Sequence, residues 1–175
     1  GRILYVGRMT KQKGVDLLIN AVAEMAEEFN LRVVGSGTEN EIQTLKQLAV
    51  KKKVSDKITW CGFKEGQELL DEYRKAELFI LPTRGDCFGL VLVEALCAKL
   101  PIITSKYADG AYDIVREGIN GTIVDPFDAE VFGKAIDKAM ISSKMKDGAE
   151  KESFEKFAFE NVMKGYLKAI ESVAE

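Results

Sequence analysis

The sequence predicts an α/β fold, a doubly wound, Rossmann-like parallel sheet with helices on both faces. Three observations lead there. From Arg2 to about Met140, short apolar runs alternate with segments whose apolar residues recur every 3.6 positions, with little loop between them. Gly7, Gly35, Gly62 and Pro82 punctuate the ends of apolar runs. Leu78 to Ser105 reads as strand, turn, helix and second apolar strand, the unit from which parallel sheets are built.

The first strand, Arg2 to Val6, runs into Gly7 and a polar loop ending at Gly14. A helix follows with Leu18, Ala21, Val22, Met25 and Phe29 on one face. Leu31 to Val34 is the second strand, closed by Gly35-Ser36-Gly37. Glu39 to about Lys53 is the second helix, with Ile42, Leu45, Leu48 and Ala49 inward. Lys57 to Cys61 is the third strand, and a short helix gathers Leu69, Leu70 and Tyr73 after the Gly62 loop. Leu78 to Leu81 is the fourth strand, a helix opens at Phe88-Gly89-Leu90, and the fifth strand begins after Pro101. A short helix at Tyr112 to Glu117, a strand at Gly121 to Val124 and a helix from about Asp128 to Met140 complete a unit over 1–143. Lys144 to Glu152 reads as a polar connector. Phe154, Phe157, Ala158, Val162, Tyr166, Ala169, Ile170 and Val173 then recur at helical spacing. Residues 144–175 are thus a connector and a carboxyl-terminal helix, packed on this unit or on a neighbouring domain.

A chain of 175 residues with 46% hydrophobic content can bury a full core. A net charge of −3 gives no reason to expect nucleic acid, and no apolar run reaches transmembrane length. Cys61, Cys87 and Cys97 are scattered, without a C-x-x-C pair, which points to a reducing, cytoplasmic compartment and no structural zinc. The absence of histidine assigns proton transfer and charge stabilisation to carboxylates, Lys, Arg, Tyr, Cys or backbone groups. The chain enters a strand almost at once and lacks an initiating Met, as a domain of a longer protein would.

In an open parallel sheet the ligand lies beyond the carboxyl ends of the strands, where strand order reverses. Four loops end there: Gly7 to Gly14, Gly35 to Gly37, Gly62-Phe63-Lys64, and Thr83 to Gly89. Arg8 and Lys13 offer a guanidinium fork and an ammonium to a diphosphate, although taken alone they also fit two solvated cations. Gly35-x-Gly37 lacks the third glycine of a dinucleotide fingerprint, because Asn40 holds that place. The helix opening at Phe88, Gly89 and Leu90 aims N–H groups and its macrodipole at the sheet edge, where an anion is favoured. Asp86 precedes that helix and also suits an N-cap. Glu94 is the lone carboxylate of LVLVEALCA, costly there unless it finds a partner or an opening. It could accept two ribose hydroxyls at once, or occupy the one wet strip of the helix.

These residues carry a resemblance. Phe79 to Ser105 resembles the E-x7-E segment of the retaining GT-B glycosyltransferases of family 4, P-S-x-x-E-G-F-G-L-x-x-x-E-A-x-A-x-G-x-P-V-I. It stands as Pro82-Thr83-Arg84-Gly85-Asp86-Cys87-Phe88-Gly89-Leu90, then Glu94-Ala95, then Pro101-Ile102-Ile103. Gly7-Arg8 with Lys13-Gly14 is similar to that family's G-R…K-G, Val34 to Gly37 to its V-G-x-G, and Asn120-Gly121 with Asp125-Pro126 to its N-G…V…P segment. The chain departs from the pattern at Asp86 (Glu in the family), Cys87 (Gly), Lys99 (Gly) and Thr38 (Pro).

The resemblance implies one half of a GT-B enzyme, the carboxyl-terminal donor domain, binding a nucleoside-diphosphate sugar as substrate, with no cofactor and no metal. Arg8 and Lys13 would hold the diphosphate and Glu94 the ribose, while Asp86 would take the donor sugar's hydroxyls. Phe88, Gly89 and Leu90 would face sugar and phosphates, Gly35 and Gly37 would flank them, and Gly62, Phe63 and Lys64 would lie near the base. Asp86, Arg8 and Lys13 would be the catalytic set. The acceptor would bind a missing amino-terminal domain, which could also dock the cytoplasmic protein peripherally at the inner membrane face. The remaining alternatives are a nucleotide-binding regulatory module with a degenerate site and a different Rossmann-type enzyme. The missing third glycine and Gly35 at the end of strand two weigh against the latter.

Overall fold

The structure, a computed structural model, describes residues 1–151 and Met163. Six parallel strands form the sheet: β1 (Arg2–Val6), β2 (Asn30–Val34), β3 (Ile58–Gly62), β4 (Leu78–Leu81), β5 (Ile102–Ser105) and β6 (Gly121–Val124), in the order β3-β2-β1-β4-β5-β6. Ile3 pairs with Leu31 on one side and Leu78 on the other, so β1 is central. Because both faces are covered, the strands read as near-continuous apolar runs rather than alternating ones. In β1, Ile3 and Tyr5 enter one core and Leu4 and Val6 the other.

Helices α1 (Val15–Val22), α2 (Glu39–Lys51), α6 (Ala129–Ile141) and α7 (Ser143–Lys151) pack on the first face. Helices α3 (Gly66–Lys75), α4 (Leu90–Cys97) and α5 (Ala111–Ile114) cover the second. Single 3-10 turns at Lys11–Lys13 and Ser55–Lys57 complete the described elements. Thr38 and Glu41 form a capping box that starts α2, and Asp128 caps α6 through the Val131 N–H. None of the helices among the described residues is long and apolar enough to cross a membrane.

Three elements depart most from the sequence reading, the other boundaries shifting by one or two residues. Helix α1 ends at Val22, because Asp137 of α6 captures the N–H groups of Ala26 (2.9 Å) and Glu27 (3.1 Å) and holds 23–29 as a loop. Phe29 still reaches the core from that loop. The stretch read as a polar connector is helix α7, which buries Met145 and Ala149, one turn apart. The short helix after β5 runs from Ala111 to Ile114, with Val115 already extended. The apolar stripe from Phe154 to Val173 lies outside the described residues. Lys99, where the resembled pattern has glycine, takes the left-handed conformation after α4, with φ of 61°.

Candidate functional site

Strand order reverses between β1 and β4, so the loops leaving these two strands face each other across the crevice at the carboxyl edge. Close backbone approach joins them. Gly14 has φ of +75°, and a Cβ placed on it would lie 2.0 Å from the Pro82 carbonyl oxygen. The Arg84 N–H donates to the Gln12 carbonyl at 2.7 Å, and the buried Thr83 hydroxyl donates to the same carbonyl at 3.0 Å. The Arg84 guanidinium forks onto both Asp16 oxygens at 2.8 Å, reaches the Lys11 carbonyl at 2.6 Å, and lies over the Phe127 ring. Burial alone would raise the Asp16 carboxyl. The hydrogen bonds from Arg84 and Lys11 outweigh it and hold Asp16 below the usual carboxylate range.

This clamp sets Lys13 opposite Asp86. Lys13 Nζ donates to Asp86 Oδ2 at 2.5 Å, and both side chains are largely screened from solvent. Asp86 Oδ1 accepts from the N–H groups of Gly89 (2.8 Å) and Phe88 (3.3 Å) at the mouth of α4. Its backbone is stitched to the loop after β5 through the Tyr107 carbonyl and the Asp109 N–H. Partial burial would raise the Asp86 carboxyl, but the Lys13 ammonium and the two N–H groups prevail and lower its pKa. The N-cap of α4 is Gly89 rather than Asp86, whose carboxylate at once closes the turn leading into the helix and serves as an ion-pair partner. An anion from the chain itself occupies the two N–H groups that the sequence marks for a ligand.

Farther along α4, Leu90 and Glu94 line a cavity of about 810 Å³ between α3 and α4, walled by Leu69, Leu70, Val93 and Cys97. Tyr73 of α3 donates its hydroxyl to Glu94 Oε2 at 2.6 Å. Asp86 and Glu94 thus turn to different partners, although one helix carries or adjoins both.

The other residues singled out in the sequence take distinct positions. Arg8 leaves β1 with an exposed side chain, and its carbonyl accepts the buried Tyr5 hydroxyl at 2.7 Å. Gly35 admits the backbone of the β1 loop, since a Cβ on it would lie 1.8 Å from the Gly7 carbonyl oxygen, and Gly37 lies against the Met9 side chain. The Gly62 carbonyl accepts the Gly35 N–H at 2.8 Å, and Phe63 is exposed. Lys64 turns away, 3.8 Å from carboxylate oxygens of both Glu68 and Glu72. Tyr73, Arg84 and Asp16 escaped the sequence reading as site residues. Their signal was indirect: Glu94, stranded in an apolar helix, needed a donor, and Tyr73 supplies the hydroxyl of the apolar face of α3.

The sequence model for glycosyl transferases group 1 matches residues 1–156. The chain belongs to that family. A curated relative, the uncharacterized glycosyltransferase MJ1607 of Methanocaldococcus jannaschii, is 29% identical over 166 residues, which are 93% of this chain and 42% of that protein. Among solved structures, the apo lipopolysaccharide outer core galactosyltransferase WaaB matches with a TM-score of 0.86 at 21% identity, over 98% of this chain and 49% of that one. Anabaena Alr3699/HepE in complex with UDP matches at 0.78 and 20% identity, over 98% and 48%. This group 1 chain thus has the Rossmann-like architecture of GT-B glycosyltransferases and spans about half the length of the proteins it matches.

Proposed function

We propose that this chain is the donor-binding half of a retaining glycosyltransferase that moves a sugar from a nucleoside diphosphate to an acceptor. The carrying observation is the crevice between β1 and β4, where Lys13 meets Asp86 at the mouth of α4, the helix that also carries Glu94 into the cavity shared with α3. UDP in the fold neighbour HepE supports a nucleotide at such a site. The unit 1–143 provides the nucleotide-sugar site.

The chemistry follows from where charge develops. When the bond from the anomeric carbon to phosphate breaks, the nucleoside diphosphate leaves with the electron pair. Arg8, Lys13 and the N–H groups at the mouth of α4 stabilise that charge in fixed geometry, so the proposed reaction needs no metal. The diphosphate takes over Lys13 and the N–H groups of Phe88 and Gly89, releasing the Asp86 carboxylate to the donor sugar's hydroxyls. Glu94 accepts the ribose hydroxyls, with Gly62 to Lys64 beside the base. The departing phosphate assists the acceptor on the same face, which retains configuration. The acceptor belongs to the amino-terminal half of the longer protein, a cytoplasmic enzyme that docks at the membrane through that half.

Calorimetric titration with UDP, GDP, ADP and NAD, with and without magnesium, tests this reading. One diphosphate should bind selectively without metal, and Glu94→Ala should weaken that binding by about tenfold or more. Tighter binding of NAD than of any diphosphate would refute it. Substantial transfer by this half alone would overturn the placement of the acceptor site.

A further inference from the structure

Tyr73 is 3% exposed, and its ring stacks on Phe79 of β4 with centroids 5.8 Å apart. Both residues belong to the core beneath α3 and α4. Packing therefore locks the ring, and only the hydroxyl reaches out, at the wall of the cavity that Glu94 also lines. There it donates to Glu94 Oε2 at 2.6 Å, a short charge-assisted bond.

Glu94 is exposed on an eight-residue helix whose other seven residues are Leu, Val, Ala or Cys. A free Glu side chain there would sample many rotamers, and fixing it on ligand binding costs side-chain entropy. Tyr73 has already imposed that order. A carboxylate has roughly four acceptor positions and a phenol supplies one proton, so one bond to Oε2 leaves Oε1 fully available. Burial, and secondarily the bond to Glu94, push the Tyr73 phenol well above its ordinary range, so it remains a donor throughout the neutral range.

We propose that Tyr73 is the positioning residue of the donor site, holding Glu94 so that its free oxygen reads the vicinal hydroxyls of a ribose. The inference rests on the donor-site reading above and adds its specificity element. The α3–α4 pair selects ribonucleotides over 2′-deoxyribonucleotides, and a residue that never touches the ligand sets the discrimination.

The test is calorimetric titration with UDP, GDP and ADP and their 2′-deoxy counterparts, on wild type, Tyr73→Phe and Glu94→Gln, with the Tm of each. Tyr73→Phe keeps the ring and removes the proton donor. The wild type should prefer the ribose form of its nucleotide by about tenfold or more. Tyr73→Phe should weaken the ribose form about five- to tenfold, leave the deoxy form within twofold, and keep the Tm within about 2 °C. Glu94→Gln should collapse the preference in the same way. If Tyr73→Phe binds both forms as the wild type does, Tyr73 has no positioning role and the donor site stands. Equal weakening of both forms with a fallen Tm would make Tyr73 a packing residue only, and likewise overturns the inference. A wild type that binds ribose and deoxyribose forms equally removes the diol reading while leaving the nucleotide site. A wild type that binds no nucleoside diphosphate overturns the donor reading and this inference with it.

Discussion

Lys13 and Asp86, 73 residues apart in sequence, meet across the β1–β4 crevice with Nζ 2.5 Å from Oδ2. Each satisfies the other's charge, so in the proposed donor site a diphosphate would have to displace Asp86 from Lys13 before Lys13 could serve it. The carboxyl is held below its ordinary pKa, so the pair stays closed through the neutral range and opens only as pH falls through that lowered value. Asp86→Asn should therefore tighten binding of the bare nucleoside diphosphate by about tenfold, corresponding to ~1.4 kcal/mol. It should also erase any extra affinity of the sugar nucleotide over the diphosphate. Titration of both ligands on both proteins checks this, and a weaker diphosphate in the variant would mean that Asp86 supports phosphate binding.

Glu72 is the buried hub of a second charge cluster. Arg32 bonds both its oxygens at 2.5 and 2.6 Å, and Arg2 adds a third contact at 2.9 Å. Chiefly through the Arg32 bonds, its pKa falls from the ordinary carboxylate value of about 4.5 to about 2. A depressed carboxylate contributes stability that is fully present above its unfolded value and disappears as pH falls through the folded one. The shift corresponds to about 3 kcal/mol. Glu72→Gln should therefore lose about 3 kcal/mol at pH 7. The gap to wild type should narrow below about pH 4.5 and be largely closed by about pH 2. Urea midpoints across that range measure it, and a gap independent of pH would assign the loss to packing.

Much of the sheet was legible because its strands are bounded by residues that cannot continue them. The runs Arg2–Val6, Leu78–Leu81 and Gly121–Val124 end where the sequence places them. The helices were less so. Met25 and Phe29 extend the spacing of α1 into a loop held by Asp137, a residue more than 100 positions away. Helix α7 hides its two buried positions, Met145 and Ala149, among lysines and acids. In the site, the motif residues were legible and their partners were not. Tyr73 to Glu94 and Arg84 to Asp16 depend on which loops and helices the strand order brings together, and local pattern does not encode that order.

Gly14 tests how tightly the two loops have to approach. Its φ of +75° is left-handed, and an added Cβ would press on the Pro82 backbone at 2.0 Å, where nothing flexible can yield. Gly14→Ala should cost roughly 3 kcal/mol by combining backbone strain with overpacking. Gly62 has a similar φ of +70° with no atom within 4 Å of the same added carbon, so Gly62→Ala carries only the strain, about 1 kcal/mol. Chemical denaturation of the two variants separates the effects, and equal losses would show that the loops can part without cost.

Arg84 ties the loop that carries Lys13 to the loop that carries Asp86 without lying between them. Its two bonds to Asp16, one to the Lys11 carbonyl and its place over Phe127 use both terminal nitrogens and the plane of the guanidinium. A lysine keeps the charge but offers a single point, which cannot span both Asp16 oxygens and the carbonyl together. Arg84→Lys should therefore lose about 1–2 kcal/mol of stability, since hydrogen bonds to charged groups are each worth about that much. Because Lys11 and Lys13 share one 3-10 turn, the loosening should reach the ammonium itself. Nucleoside diphosphate affinity should fall about fivefold, with the Glu94-dependent ribose preference unchanged. Denaturation and titration on the same variant decide it. A stability loss with unaltered affinity would show that Lys13 is placed by Gly14 and its own turn, and that the Arg84 clamp serves the fold alone.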